Sequence, residues 1–274
     1  MSDYLSADLR ATQELSDVLY RKLNTQEYAG LMNTVVLTNR VSTALARIYQ
    51  NGFTVDVAKL NDVREEFERE KADTEKRLTK QVKNLMGDTP INLNSPEQMS
   101  WVIYSRKPND KLEWANTFSP YMDTKDYKKE VKDKSSIVYK TQAQQCAGCL
   151  GTGSHRKVRK NGVPYARTNK CDSCNGSGYH FNPTSLVAGL KFSAPSAKWI
   201  SANGFTVNKT NLLTLQGIAR KNGLTDAVDF LSDLQRLSAL DTYLSSFVDG
   251  IITHTKPDGK LHVRLLQHRT ATGR

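Results

Sequence analysis

The chain has 274 residues, 38% of them hydrophobic and 24% charged, the proportions of a soluble protein with one or two domains. No apolar run reaches the roughly 18 residues a membrane span needs, and no secretory leader is recognised, so a cytoplasmic protein without a membrane partner is expected. The net charge is +11, and the stretch from Arg106 to Lys170 alone holds 15 Lys and Arg against 6 Asp and Glu. Such a field suits a polyanion, nucleic acid above all; a solvated basic surface is the alternative.

In chain order, Leu9, Leu15, Val18, Leu19 and Leu23 recur at helical spacing and predict a first helix over about residues 1–24. A second is predicted from Thr34 to Gln50, with Gly52 placed as its C-terminal cap. "GFTVDVAKL" gives a short extended link into a long third helix, Val57 to Met86. Its narrow stripe of Leu60, Val63, Phe67, Leu78, Val82 and Leu85 suits an arm lying along one partner helix, or else the rim of a globular core. Ser95-Pro96 predicts the capped start of a short helix. From Arg106 to about Lys191 long periodicity disappears while Lys, Gly, Ser and Cys rise, which marks an insertion.

Regular patterning then returns. A helix within "NKTNLLTLQGIARKNG" is capped by Gly223. A stronger one begins at Thr225, with Phe230, Leu231, Leu234, Leu237, Leu240, Leu244, Phe247 and Val248 on its buried face and Gly250 past its end. It is the candidate antiparallel partner of the Val57–Met86 helix. "KPDGK" is a turn signal and "LHVRLLQ" predicts a strand.

All four cysteines fall in "CAGCLGTG" and "CDSCNGSG", two copies of C-x-x-C-x-G-x-G. Cys146, Cys149, Cys171 and Cys174 can close a tetrahedral sphere around one zinc, and four thiolates leave no open position for catalysis, so the expected metal is structural. A redox dithiol or a disulfide is the alternative. The glycines permit positive φ and close approach of amides to sulfur. The repeat resembles the zinc-binding region of DnaJ-type chaperones, at half that family's usual number of repeats. The loop between the pairs carries Arg156, Lys157, Arg159, Lys160, Arg167 and Lys170 and no acidic residue. It is either a grip for phosphates or a solvated loop.

The segment "HVRLLQHRTATGR" resembles the one leading into the palm of family A DNA polymerases, those like bacterial DNA polymerase I. His262, Gln267 and the run Thr270, Ala271, Thr272, Gly273, Arg274 match that pattern. In that family the Gln and Arg lie along the minor groove near the primer end, where fixed donors test pair geometry without reading sequence. "VSTALARIYQNGFTVDVAKL", "INLNSPEQMSWVIYS", "GFTVNKTNLLTL" and "RLSALDTYLSSFVDGII" are similar to segments of the family's thumb, although Ala239 stands where a lysine is common. "YLSADLRATQEL" is similar to the last motif of the 3′–5′ exonuclease domain, with Tyr4 and Asp8.

The resemblance covers roughly residues 1–106 and 192–274. It implies a mainly α fold: long antiparallel thumb helices, an inserted zinc-ribbon or knuckle module, and the beginning of an antiparallel palm sheet. The implied divisions are an exonuclease remnant (1–24), a first thumb half (25–106), the basic zinc-binding insertion (107–191), a second thumb half (192–259) and the palm start (260–274). The palm aspartates, the fingers lysine and the earlier exonuclease carboxylates are not in the sequence. The expectation is therefore the DNA-gripping part of a split, phage-type polymerase, inactive as an isolated chain. Primer-template DNA, a palm/fingers chain and an exonuclease chain would be its partners, with Mg only in the completed site. A stand-alone DNA-binding accessory protein and a chaperone-like zinc module are the alternatives.

Overall fold

The computed structural model describes residues 2–28, 30–158 and 164–266. In chain order these form helices α1 (Ser2–Leu23) and α2 (Leu31–Asn51), strand β1 (Phe53–Thr54), helices α3 (Val57–Met86) and α4 (Pro96–Tyr104), strand β2 (Arg106–Pro108), and helices α5 (Lys111–Phe118) and α6 (Tyr127–Lys134). Strands β3 (Ser135–Ile137), β4 (Tyr139–Gln145), β5 (Ser154–Val158), β6 (Pro164–Lys170), β7 (Tyr179–Val187), β8 (Ile200–Ser201) and β9 (Gly204–Phe205) follow. Helices α7 (Lys209–Lys221), α8 (Thr225–Thr242) and α9 (Asp249–His254) and strand β10 (Lys260–Leu261) complete the order. The described chain is mainly helical, and its sheets are small antiparallel pairs. None of its helices is long and apolar enough to cross a membrane.

Two compact units divide at Glu65/Glu66, inside α3, and at Thr242/Tyr243, the end of α8. In the first unit, β1 pairs with β10 through Phe53↔Leu261 and Thr54↔Lys260. Gly52 caps α2 at φ +65°, donating to the Ile48 carbonyl. A Cβ there would lie 3.0 Å from the His262 ring, a tight contact that the ring would have to relieve, so it is the left-handed conformation that calls for glycine. The predicted strand from Leu261 to Gln267 is shorter: pairing stops at Leu261, and the residues from His262 to Leu266 have no ladder partner among the described residues. The apolar stripe of α1 is exposed at Leu9, Leu15, Val18 and Leu19.

The second unit holds the core. Leu78, Val82 and Met86 of α3 meet Val102 and Ile103 of α4 and Phe230, Leu231, Leu234 and Leu237 of α8. Ser95 caps α4, accepting from the Gln98 amide, with Pro96 in its first turn. Three ion pairs lace α3 to α8 in antiparallel order: Glu70–Arg236, Lys71–Asp241 and Arg77–Asp233. All are partly exposed, so they fix register more than they add stability, at about 0–1 kcal/mol each.

Two sequence expectations differ here. The helix starting at Thr225 does not end before Gly250. A π-turn over Tyr243–Val248 connects α8 to α9, and Gly250 lies inside α9. The extra residue of a π-turn rotates the side chains beyond it by about 100°, which leaves Leu244 half-buried and Phe247 57% exposed. Residues 107–137, assigned to the insertion by composition, also carry core. Trp114 and Phe118 of α5 and Tyr127 and Val131 of α6 join the same cluster as α4. Trp114 is fully buried and donates its indole N–H to the Ser201 carbonyl at 2.9 Å.

Candidate metal centre

The cysteine module is a two-stranded stem, β4–β7, that carries two knuckles and the β5–β6 hairpin. The stem is fastened to the end of α3. Gly87, at φ +79°, passes so close to Thr141 that a Cβ would meet its carbonyl oxygen at 2.2 Å. Asp88 donates its amide to that carbonyl at 3.0 Å, and its carboxylate accepts from the Ala143 amide at 2.9 Å.

Each knuckle repeats the other with a sequence offset of 25. Leu150 and Asn175 adopt φ of 50° and 51°, and the glycines after them are also left-handed. The Gly153 amide donates to Cys149 Sγ and the Gly178 amide to Cys174 Sγ, both at 3.3 Å. The Thr152 hydroxyl donates to the Cys149 carbonyl and the Ser177 hydroxyl to the Cys174 carbonyl. The halves also cross: the Cys146 amide donates to the Gly178 carbonyl and the Cys171 amide to the Gly153 carbonyl, both at 2.9 Å. At Gly153 and Gly178 a Cβ would meet the opposite knuckle's backbone at 2.4 Å. The last glycine of each C-x-x-C-x-G-x-G is therefore required twice, by φ and by the crossing.

This local pseudo-twofold brings all four sulfurs within 4.8 Å of one another in a buried cluster. Cys146 Sγ lies 3.9 Å from Cys171 Sγ, and Cys149 Sγ lies 3.6 Å from Cys174 Sγ. A tetrahedral ion with metal–sulfur bonds of about 2.3 Å separates its sulfurs by about 3.8 Å. A disulfide needs about 2.05 Å. The four thiols thus suit a single metal ion such as zinc and not a pair of bridges. Burial pushes the Cys146 thiol up, but hydrogen bonds from the Gly148 and Cys149 amides and from the Ser173 and Cys149 side chains together outweigh it and bring it down to about 6. Burial and the neighbouring sulfurs push Cys149 up to about 11. Sulfurs this close cannot all ionise unaided, and a bound cation supplies the missing countercharge.

Of the other sequence candidates, several lie on separate elements and the rest outside the described residues. Arg156 and Arg167 are exposed on the β5–β6 hairpin. Lys157 lies on β5 by its backbone, whereas Arg159 and Lys160 fall outside the described residues, as do Gln267, Thr270, Thr272 and Arg274. Tyr4 and Asp8 sit one turn apart on α1, both exposed, and no metal-holding carboxylate group forms around Asp8 among the described residues. His262 is engaged inside its own unit, with Nδ1 2.5 Å from the Tyr49 carbonyl and Nε2 3.2 Å from the Asp258 carboxylate. The Tyr49 carbonyl, and then Asp258, hold its pKa above the ordinary histidine range. Its role in this conformation is to fasten the turn over residues 256–260 to the end of α2.

Sequence reasoning missed Arg106, Lys128, Lys129 and Lys132, which surround a cavity of about 440 Å³ in the second unit. Their signal is the Lys-rich run "YKKEVKDK", which in the sequence merges into a general charge excess. No family model matches the chain, nor does any curated protein or solved structure. Its class follows from geometry: a mainly helical protein bearing a four-cysteine module able to hold a metal ion.

Proposed function

We propose that the chain is the DNA-gripping, thumb-containing part of a family A DNA-directed DNA polymerase, with a zinc-stapled basic tip. What carries the reading is the joint occurrence of the T-A-T-G-R segment with its Gln267 and a pair of long antiparallel helices, α3 and α8, between which the cysteine module is inserted in sequence. In this reading α3 and α8 hold duplex DNA and Gln267 and Arg274 reach the minor groove at the primer end. The carboxylates for metal-assisted phosphoryl transfer come from outside the chain, and with them Mg. The zinc is structural, because four thiolates fill its coordination sphere. The module's net charge stays positive, since one zinc with four thiolates contributes about −2 against the basic hairpin.

Duplex binding at varied salt tests the proposal. A phosphate-gripping protein shows a log–log slope of about −0.9 per phosphate contact. Affinity independent of salt, or none, refutes it. Recovery of a chain bearing palm aspartates with this one separates a polymerase part from a stand-alone DNA-binding accessory protein.

A further inference from the structure

The cavity in the second unit lies among α4, α6, the segment after β7 and the β8–β9 hairpin. Its interior is apolar and aromatic. Tyr104 and Phe205 are stacked with centroids 5.1 Å apart, and Tyr127, Phe192 and Ile200 complete the floor. The Tyr104 hydroxyl is already spent on the Thr206 carbonyl at 3.0 Å, so it presents ring rather than oxygen.

The rim is cationic. Arg106 comes from β2, and Lys128, Lys129 and Lys132 from α6; no acidic side chain lines the cavity. None of the four has a carboxylate partner among the described residues. Helical spacing explains the separation of charge: Lys128, Val131 and Lys132 share one side of α6, while Glu130 and Asp133 fall on the other. The Lys134 ammonium, on that other side, is paired with Glu113.

An apolar floor with cations confined to the rim fits a ligand with a flat apolar body and more than one anionic group. A fatty carboxylate would use a single cation and leave three exposed. A nucleotide within a strand uses both features, its base against the rings and its flanking phosphates on Arg106 and the lysines. The volume falls in the range of small-ligand pockets, about 300–1,000 Å³. Paired bases in a duplex cannot present a face to such a floor, which selects single strands.

We propose that this cavity receives one base of a single DNA strand, with its phosphodiester backbone held along the Arg106–Lys128–Lys132 rim. The proposal rests on the DNA-holding reading and adds a separate site for unpaired template or displaced strand. The floor reads shape and stacking, so it takes any base.

The test uses the metal-loaded full chain and an oligothymidylate with one central 2-aminopurine. Wild-type protein should change the probe's fluorescence on binding. Ala194→Trp, which fills the cavity from its lip, should abolish the change and weaken single-strand affinity roughly five- to hundredfold, the span of one base stack. Ser193→Trp serves if circular dichroism shows that Ala194→Trp disturbs the fold. The exposed pair Lys128→Ala/Lys132→Ala should flatten the single-strand salt slope by about 0.7 for each lost phosphate contact. Duplex affinity should stay unchanged in all three variants. An unaltered probe signal in the filled variants overturns the proposal, and so does cavity occupation by decanoate but not by oligonucleotide. Absence of any probe response with the wild-type protein, while its salt-dependent duplex binding is intact, refutes the cavity proposal alone. Absence of binding to either DNA form refutes the DNA-holding reading and this proposal together.

Discussion

Chelation should unfold the cysteine module and spare the helical core. Between Tyr139 and Val187 the buried residues, among those described, are the four cysteines, Gly153 and Gly178. The module therefore lacks the usual source of folding energy, about 1.5–3 kcal/mol for each large apolar side chain fully buried. A structural zinc contributes on the order of 10–16 kcal/mol near neutral pH, as large as the whole stability of an ordinary domain, about 5–15 kcal/mol. Removing it leaves a strand pair whose side chains are mostly half-buried or exposed, and an isolated hairpin is marginal in water. Hydrogen exchange read by mass spectrometry is the assay, on metal-loaded protein and on protein stripped by a strong chelator, with metal content measured on both. Amides such as Cys146, Gly153, Cys171 and Gly178 should lose nearly all protection when metal is removed. Those in α4, α7 and α8 should change little, because Leu212, Leu215, Phe230 and Leu231 pack in a separate cluster. Zinc should restore protection. Full protection of the module in protein shown to be metal-free would refute the reasoning, since no other buried group among the described residues could account for it.

Gly178→Ala should lower metal affinity by about two orders of magnitude in a competition titration, because a left-handed alanine costs about 1–2 kcal/mol and the crossing amide bond about 1 more; equal affinity would mean that the knuckles need not touch. Trp114→Ala should destabilise the helical unit by about 3–5 kcal/mol in urea, leaving metal stoichiometry at one; a loss under about 1 kcal/mol would deny α5 its place in the core. Replacing Arg156, Lys157, Arg159 and Lys160 by Ala should weaken all duplexes alike and shrink the salt slope by about 0.9 per lost contact, whereas an unchanged slope would make the hairpin a solvated one. The raised pKa of His262 means that its contribution to the first unit is complete below the free-histidine pKa, about 6.5, and fades as pH rises through the folded value. Exchange protection at the Val55 amide, which bonds the Gly259 carbonyl, should fall over that interval, and His262→Gln should flatten the profile.

The long elements were legible because the sequence repeats their signals many times over. Val57–Met86 offers about eight turns of stripe, and the Thr225 helix carries a leucine or phenylalanine at nearly every inward position. The cysteine spacing likewise located the four-sulfur cluster that can hold a metal ion, because C-x-x-C followed by left-handed glycines admits few alternatives. The short helices α5 and α6 were missed. Eight residues give too little chain for a 3.6-residue period to stand out. Local chemistry did mark α5, since Asp110 accepts from the Leu112 and Glu113 amides as an N-cap. The π-turn at Tyr243–Val248 was also illegible, because one inserted residue leaves the leucine pattern intact on either side and only shifts its phase. The cavity was hidden for a different reason. Its floor joins residues about 100 positions apart, Tyr104 and Phe205, and no single stretch of sequence holds both its apolar and its cationic half.

The two knuckles cannot form one at a time. Each contributes two sulfurs, so either alone would leave a zinc half-coordinated. Each also lends a backbone carbonyl to the first cysteine of the other, Gly178 to Cys146 and Gly153 to Cys171. The glycines making those contacts sit where any side chain would strike the opposite backbone. Sulfur geometry and amide pairing therefore depend on the same approach of two loops 25 residues apart. A partly assembled module loses both terms together, and intermediates with one knuckle formed should be scarce. The basic hairpin between the knuckles inherits this behaviour, because β5 begins immediately after Gly153 and β6 ends immediately before Cys171. With a metal bound, its ends would be held in register, Ser154 opposite Lys170, only while the ion joins both knuckles. Metal occupancy and the presentation of Arg156 and Arg167 are thus one equilibrium, and chelation should weaken duplex binding to the same extent as removing the hairpin's charges.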